Sequence, residues 1–273
     1  MNCCICGPVK NCGAYLRRVF NNIEKLAELF DDYRIIIYYD QSTDDTLNIL
    51  KTYQLENNKL SFYENNNFIS PFRTHRIAHA RNYCIKEIKE KYADYPFFIM
   101  MDFDDPNSKN CNPEIIKKYL TRDDWDALSF NTTPRYRDIW ALSIYPFCFS
   151  YNHFKNNTRF YRIIQKYVTD KLNALSSVPN GNGLLECISA FNAFALYKTS
   201  KFLNCSYNGK VNLNLLPKRY METHMAAAQS PIIFKDYGHV KGEYEDCEHR
   251  AFHVEAKYKN GARIMISPEV VFR

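Results

Sequence analysis

The residues best suited to chemistry are three carboxylates, Asp102, Asp104 and Asp105, which close the segment PFFIMMDFDD at 96–105. Carboxylate oxygens packed this closely repel one another unless a cation or hydrogen-bond donors neutralise them, and hard oxygen ligands select Mg²⁺ or Mn²⁺. Taken alone, an Asp-x-Asp pair is equally well a strand end followed by a solvated acidic turn. A second acid, Asp40, ends the apolar run RIIIYY and opens the polar turn Gln41-Ser42-Thr43-Asp44. A third group is EYEDCEHRAFH at 243–253, where Glu245, Asp246 and Glu248 stand beside His249 and His253. The two histidines share a helical face. Carboxylates opening a helix also favour its dipole, so capping competes with chemistry for Glu245 and Asp246.

The elements that must position these groups follow from periodicity. Phe97 to Met101 is a short unbroken apolar run, which suits a buried strand that delivers its acids at the carboxyl end. Asn2 to Cys6, bounded by Gly7-Pro8, reads as a first buried strand, Arg34 to Tyr39 as a second and Leu60 to Glu64 as a third. Ala14 to Phe30 has apolar residues at helical spacing, Asp45 to Tyr53 follows N-capping residues, and Arg73 to Lys91 reads as a long helix. Strands and helices that alternate at this pace predict a Rossmann-like α/β domain, a mostly parallel central sheet flanked by helices. In such sheets ligands bind in the crevice at the carboxyl ends of the strands.

Beyond Pro113 the pattern is less regular. Helices are expected at Pro113–Leu120, Asn152–Leu175 and Glu245–Lys257, with a short one at Ser200. Strands are expected at Trp125–Asn131, Ile139–Ile144, Ser189–Tyr197 and Arg263–Ile266, and an edge strand at Ile232–Phe234; Val178–Leu184 reads as a loop. No repeat or linker interrupts the chain. One domain over 1–273 is therefore expected, with a regular first half, 1–107, and a less regular second half, 108–273.

The totals exclude more than they assign. Of the 273 residues 46% are apolar, an ordinary globular share, and the net charge of +6 is spread along the chain. No Lys/Arg block is dense enough to bind a nucleic acid polymer, though a compact nucleotide diphosphate would be favoured. No secretory signal is visible, and no apolar run reaches the roughly 18 residues of a membrane span, so a cytoplasmic location is expected. The ten cysteines are scattered; Cys3 and Cys6 have C-x-x-C spacing but no matching second pair follows, so they read as buried and reduced rather than as a zinc site.

Four motifs, in order, resemble the family-2 type of inverting glycosyltransferase with the GT-A fold. They are CCICGPVKNCGAYL near the start, IIYYDQSTDDT at 36–46, Ala80-Arg81-Asn82 within RTHRIAHARN, and Asp102-Phe103-Asp104-Asp105. They cover residues 2–107; Gln41 stands where the family carries a second Asp. The RxxRIAxARN variant also resembles the capsule-associated mannosyltransferase group. The resemblance implies a GT-A domain with 1–107 as its nucleotide-binding half and 108–273 as its acceptor-binding half, which binds a UDP- or GDP-linked sugar through Asp40, Ser42, Arg81 and Asp102. It implies Mn²⁺ or Mg²⁺ on Asp104 and Asp102, with His249 or His253 completing the ligands. Asp246 or Glu248 would act as general base for the hydroxyl of a glycan, glycolipid or protein acceptor, with inversion at the sugar carbon. Two other classes compete. A sugar nucleotidyltransferase would need a Gly-rich basic loop after the first strand, of which Gly7-Pro8-Val9-Lys10 is a poor version, and a silent binding module would have no use for intact acids.

Overall fold

The computed structural model describes residues 1–177, 183–212, 214, 216–233 and 245–273. Among them, eight strands form one sheet: β1 Asn2–Val9, β2 Asp32–Asp40, β3 Leu60–Asn65, β4 Phe97–Met101, β5 Ala127–Phe130, β6 Leu185–Cys187, β7 Phe194–Lys198 and β8 Ile264–Ser267. Their order is β3-β2-β1-β4-β7-β5-β8-β6. β1 is parallel to β2 and β4, β2 to β3, and β5 to β8. β7 runs antiparallel to both β4 and β5, so those two point the same way. The carboxyl ends of β2, β1, β4 and β5 therefore open on one edge of the sheet.

Side chains that alternate along each strand feed two cores. Cys3, Ile5, Ile35, Ile37, Phe97 and Ile99 pack on one face against α1 (Gly13–Ala27), α2 (Thr46–Glu56) and α4 (Pro113–Leu120). Cys4, Cys6, Ile36, Phe98 and Met100 pack on the other against α3 (Arg73–Lys91), α5 (Asn157–Ser176) and α7 (Glu248–Asn260). A further helix, α6, spans Lys218–Ala228. All ten cysteines are buried and free. No helix among the described residues is long and apolar enough to cross a membrane.

The expected α/β layering holds, with local differences. β1 runs on through Gly7-Pro8 to Val9. Its ladder with β4 ends at Cys6, so the missing N–H of Pro8 leaves no gap there. The strand expected at Ile139–Ile144 does not form. The carbonyls of Trp140 and Leu142 accept from Arg250 instead of a neighbouring strand, and Ser143 makes only an isolated bridge to Ser189. The strand expected from Ser189 starts at Phe194, because Ala193 has a left-handed backbone with φ 67°. Asn156 caps α5, so that helix begins at Asn157 rather than Asn152. Ile232 and Ile233 are outside the sheet, and Phe234 and 178–182 of the expected loop lie outside the described residues. Neither β6 nor α6 was expected from the sequence; both are short and weakly patterned.

Gly7 lets β1 approach the end of β4. A β-carbon there would fall 2.1 Å from the carbonyl oxygen of Met101, the residue before Asp102. Gly7→Ala is expected to force the two strands apart and lower stability by about 1–3 kcal/mol, measured by chemical denaturation.

Candidate active site

The carboxyl ends of β1, β2, β3 and β4 contribute to one cavity of about 340 Å³. Val9 and Lys10 follow β1, Asp40 ends β2, Asn65 ends β3, and Asp102 and Asp104 follow β4; Arg73, Arg76 and Ile77 enter from the first turns of α3. Asp40 accepts from Lys10 Nζ at 2.8 Å, from Asn65 Nδ2 at 3.3 Å and from the Gln41 N–H at 3.0 Å. Burial opposes its charge, yet these donors, Lys10 foremost, hold its carboxyl below the usual range. Ser42 lies next to it but is used internally. Its hydroxyl donates to the Asp40 carbonyl and accepts the Asn11 N–H, which shapes the turn rather than the cavity wall.

The turn after β4 is fixed from three sides. The Asp102 N–H donates to the Ala193 carbonyl at 2.8 Å, and Asn107 Nδ2 donates to the carbonyls of both Asp102 and Ala193 at 2.7 Å. Asn22, on α1, in turn donates to the carbonyls of Asn107 and Lys109. Asp104 is thus held facing the cavity with one oxygen, Oδ1, buried and without a hydrogen-bond partner among the described residues. Burial, with the neighbouring charge of Asp102, pushes its carboxyl up to about 6, against the pull of Arg137 and Arg73. A buried, unpaired carboxylate oxygen beside a second carboxylate suits a hard divalent cation.

Arg81 connects this acidic edge to the second half of the chain. It is 3% exposed, donates through Nη2 to Asp102 Oδ1 at 2.9 Å, and pairs through Nε with Glu248 Oε1 at 3.1 Å. Its guanidinium also rests over the Phe191 ring at 4.5 Å. Glu248 is buried at the first turn of α7, and burial raises its carboxyl despite Arg81. Asp102, Arg81 and Glu248 are therefore brought together.

Asp246 is not brought to the cavity. Its Oδ2 accepts from Arg250 Nε at 2.8 Å and its Oδ1 from the Cys247 N–H. Arg250 goes on to the carbonyls of Trp140 and Leu142 and to the Ser143 hydroxyl. The pair is a clamp on the loop after β5. Glu245 caps a helix, though not its own: Oε1 accepts from the Thr74 N–H and hydroxyl at the start of α3.

The histidines depart from the expected metal role. His253 is fully buried, with Nδ1 on the Ser189 hydroxyl and Nε2 on the Tyr197 hydroxyl, and burial lowers its pKa to about 3. His249 stacks on Phe191, and burial pushes its titration well below the usual range. Among the described residues no three His, Cys, Asp or Glu side chains gather at metal-binding spacing. The i, i+4 spacing placed both rings on one face correctly, but that face is turned into aromatic packing. Lys10, Asn65 and Arg73 were not anticipated. Lys10 and Arg73 stand inside the family-like motifs without having been given a role, and Asn65 has no sequence signal beyond its location at a strand end.

The model of glycosyl transferase family 2 matches residues 4–173. The chain belongs to that family. No curated protein matches it in sequence. Among solved structures, this family 2 chain is similar to S. aureus TarS 1–349, at 14% identity and a TM-score of 0.41 over 87% of this chain and 59% of that one. It is also similar to the mannosyltransferase PcManGT from Pyrobaculum calidifontis, solved with GDP-Man and Mn²⁺, at 14% identity and 0.41 over 86% and 55%. The galactosyltransferase LgtC follows at 9% identity and 0.38, over 98% and 72%. The family 2 chain thus spans about 59% of the TarS fragment's length. Its single, mostly parallel sheet flanked by helices is the GT-A arrangement.

Two expectations follow from the site's electrostatics. Arg81→Leu strands Glu248 in a buried setting without its cation and should cost about 3–5 kcal/mol in a denaturant titration. Asp104 has a raised folded-state pKa, so the native chain holds a proton that the unfolded chain has released between the ordinary carboxylate range and about 6. Stability without divalent cations should therefore fall as pH rises through that window. Asp104→Asn should flatten this decline when melting is followed in chelator.

Proposed function

We infer that this chain transfers a sugar from a UDP- or GDP-linked donor to a hydroxyl acceptor, with inversion and with the help of a divalent cation. The observation that carries this reading is the edge cavity where Asp40 with its basic and amide partners stands at one end and the Asp102–Asp104 pair at the other. Asp40, kept ionised by Lys10, would accept hydrogen bonds from the nucleobase or ribose. Asp102, fixed by Arg81, faces the ribose and diphosphate. Asp104, with Asp102, would hold Mn²⁺ or Mg²⁺ through its unpaired Oδ1. Bound there, the cation would supply Lewis-acid neutralisation of the departing diphosphate.

This chain's own residues supply the rest. Arg73 lines the cavity, makes no ion pair among the described residues, and has a charge that reaches Asp104, which suits it to a diphosphate oxygen. Arg81 donates to Asp102 and so fixes the orientation of its carboxylate. Proton removal from the acceptor falls to a carboxylate on the side of β5 and α7. Glu248 adjoins that region, while Asp246 is occupied by Arg250.

Calorimetry with UDP or GDP, each with and without Mn²⁺, tests the reading. One nucleotide should bind only with the metal present, Asp104→Ala should abolish that binding, and Arg73→Ala should weaken it by about tenfold or more. Equal binding by the native chain and Asp104→Ala would sink it.

A further inference from the structure

The loop between β5 and the 143 bridge carries a carboxylate that neither the family motifs nor the expected acid cluster includes. Asp138 is half-buried, and its backbone N–H donates to Asn192 Oδ1 at 3.1 Å. The next residue along, Ala193, takes the Asp102 N–H on its carbonyl. One two-residue corner therefore fixes both Asp102 and Asp138. Tyr136 reinforces this, since its hydroxyl donates to the carbonyl of Phe191, whose ring supports Arg81. One Asp138 oxygen, Oδ1, accepts the Ala141 N–H at 3.1 Å. The other takes no hydrogen bond from any described residue.

Strand order adds direction. Neighbouring strands lie about 4.8 Å apart, so β2 and β4 are about 10 Å apart across β1, and β4 and β5 as far again across β7. A nucleotide laid from Asp40 toward Asp104 would carry its sugar beyond the diphosphate, toward the β5 loop. We propose that Asp138 is the general base of the transfer, its free oxygen taking the proton of the acceptor hydroxyl. This rests on the glycosyl-transfer reading. As the acceptor oxygen forms its bond to the sugar's anomeric carbon, the bond from that carbon to the diphosphate breaks. The electron pair leaves on the nucleoside diphosphate, and the hydroxyl proton moves to Asp138.

The competing carboxylates are less available. Glu248 is 4% exposed and held by Arg81, and both oxygens of Asp246 are engaged. The Asp246–Arg250 clamp, through Trp140 and Leu142, holds the loop on which Asp138 stands. Burial, together with the nearby charges of Glu248 and Asp102, pushes Asp138 up to about 6, a basicity suited to accepting a proton near neutral pH.

The test is a panel of UDP- and GDP-sugars with Mn²⁺, read by nucleoside diphosphate release to water, on the native chain, Asp138→Asn, Glu248→Gln and Asp246→Asn. The Asn side chain keeps an oxygen for the Ala141 N–H, so folding should be native, as melting would verify. With the donor that the native chain turns over, Asp138→Asn should lose about a hundredfold or more in kcat while donor KM and nucleotide affinity stay within threefold. A loss under tenfold, or one matched by donor affinity, overturns the proposal, as does a larger kcat loss in Glu248→Gln or Asp246→Asn. Release from no donor by the native chain, with nucleotide binding absent as well, would instead overturn the glycosyl-transfer reading on which it stands.

Discussion

The site depends on one buried cation. Arg81 has its guanidinium sealed between Asp102, Glu248 and the Phe191 ring, and each partner needs it for a different reason. Glu248 would otherwise be an unpaired charge in a dry interior. Asp102 stands at the rim of the cavity, where its orientation decides what the neighbouring Asp104 can share. An uncompensated ion in such a setting costs several kcal/mol, whereas a guanidinium with two carboxylates and an aromatic face is well satisfied. Lysine could not replace it, because the contacts diverge from separate nitrogens of a planar group.

Around that cation the sheet arranges function by strand order. The parallel strands β2, β1 and β4 bring a basic-held acid and an acid pair to one edge, and antiparallel β7 then lets β5 return to the same edge. The left-handed turn at Ala193 is the joint between the two groups of strands. Strain of about 1–2 kcal/mol in a non-glycine residue of that shape is offset by two hydrogen bonds to its carbonyl and the pairing of β7 that begins directly after it.

How much of this was legible depended on whether the signal was local. The β2 and β4 strands, α1 and α3, and the acids at strand ends follow from runs of apolar residues and from turn residues, all within about ten positions. The pairing of Arg81 with Asp102 was also within reach, since α3 leads directly into β4. The second half of the chain was legible only in part. His249 and His253 have metal-like spacing, but whether a helical face meets solvent or an aromatic core is decided by Phe191, Tyr197 and Ser189, far along the chain. The acidic string at 245–248 read as one cluster, yet its three members serve three elements: Glu245 caps α3, Asp246 holds Arg250, and Glu248 meets Arg81. The apolar stretch at 139–144 has a strand's composition but gives its carbonyls to a side chain, which no periodicity encodes.

The division of labour at 245–250 also bears on the order of assembly. Arg81 and Asp102 belong to one βαβ unit and meet over a short loop of chain, but Glu248 and the Glu245 cap arrive from more than 160 residues away. Closing such a loop is slow and entropically costly. The edge that carries Asp40, Asp102 and Asp104 can therefore take shape early with its guanidinium still hydrated, and become dry only when α7 docks. Docking α7 would then act as a late checkpoint, so that a chain with a misfolded second half would leave the cavity formed but its central cation in water.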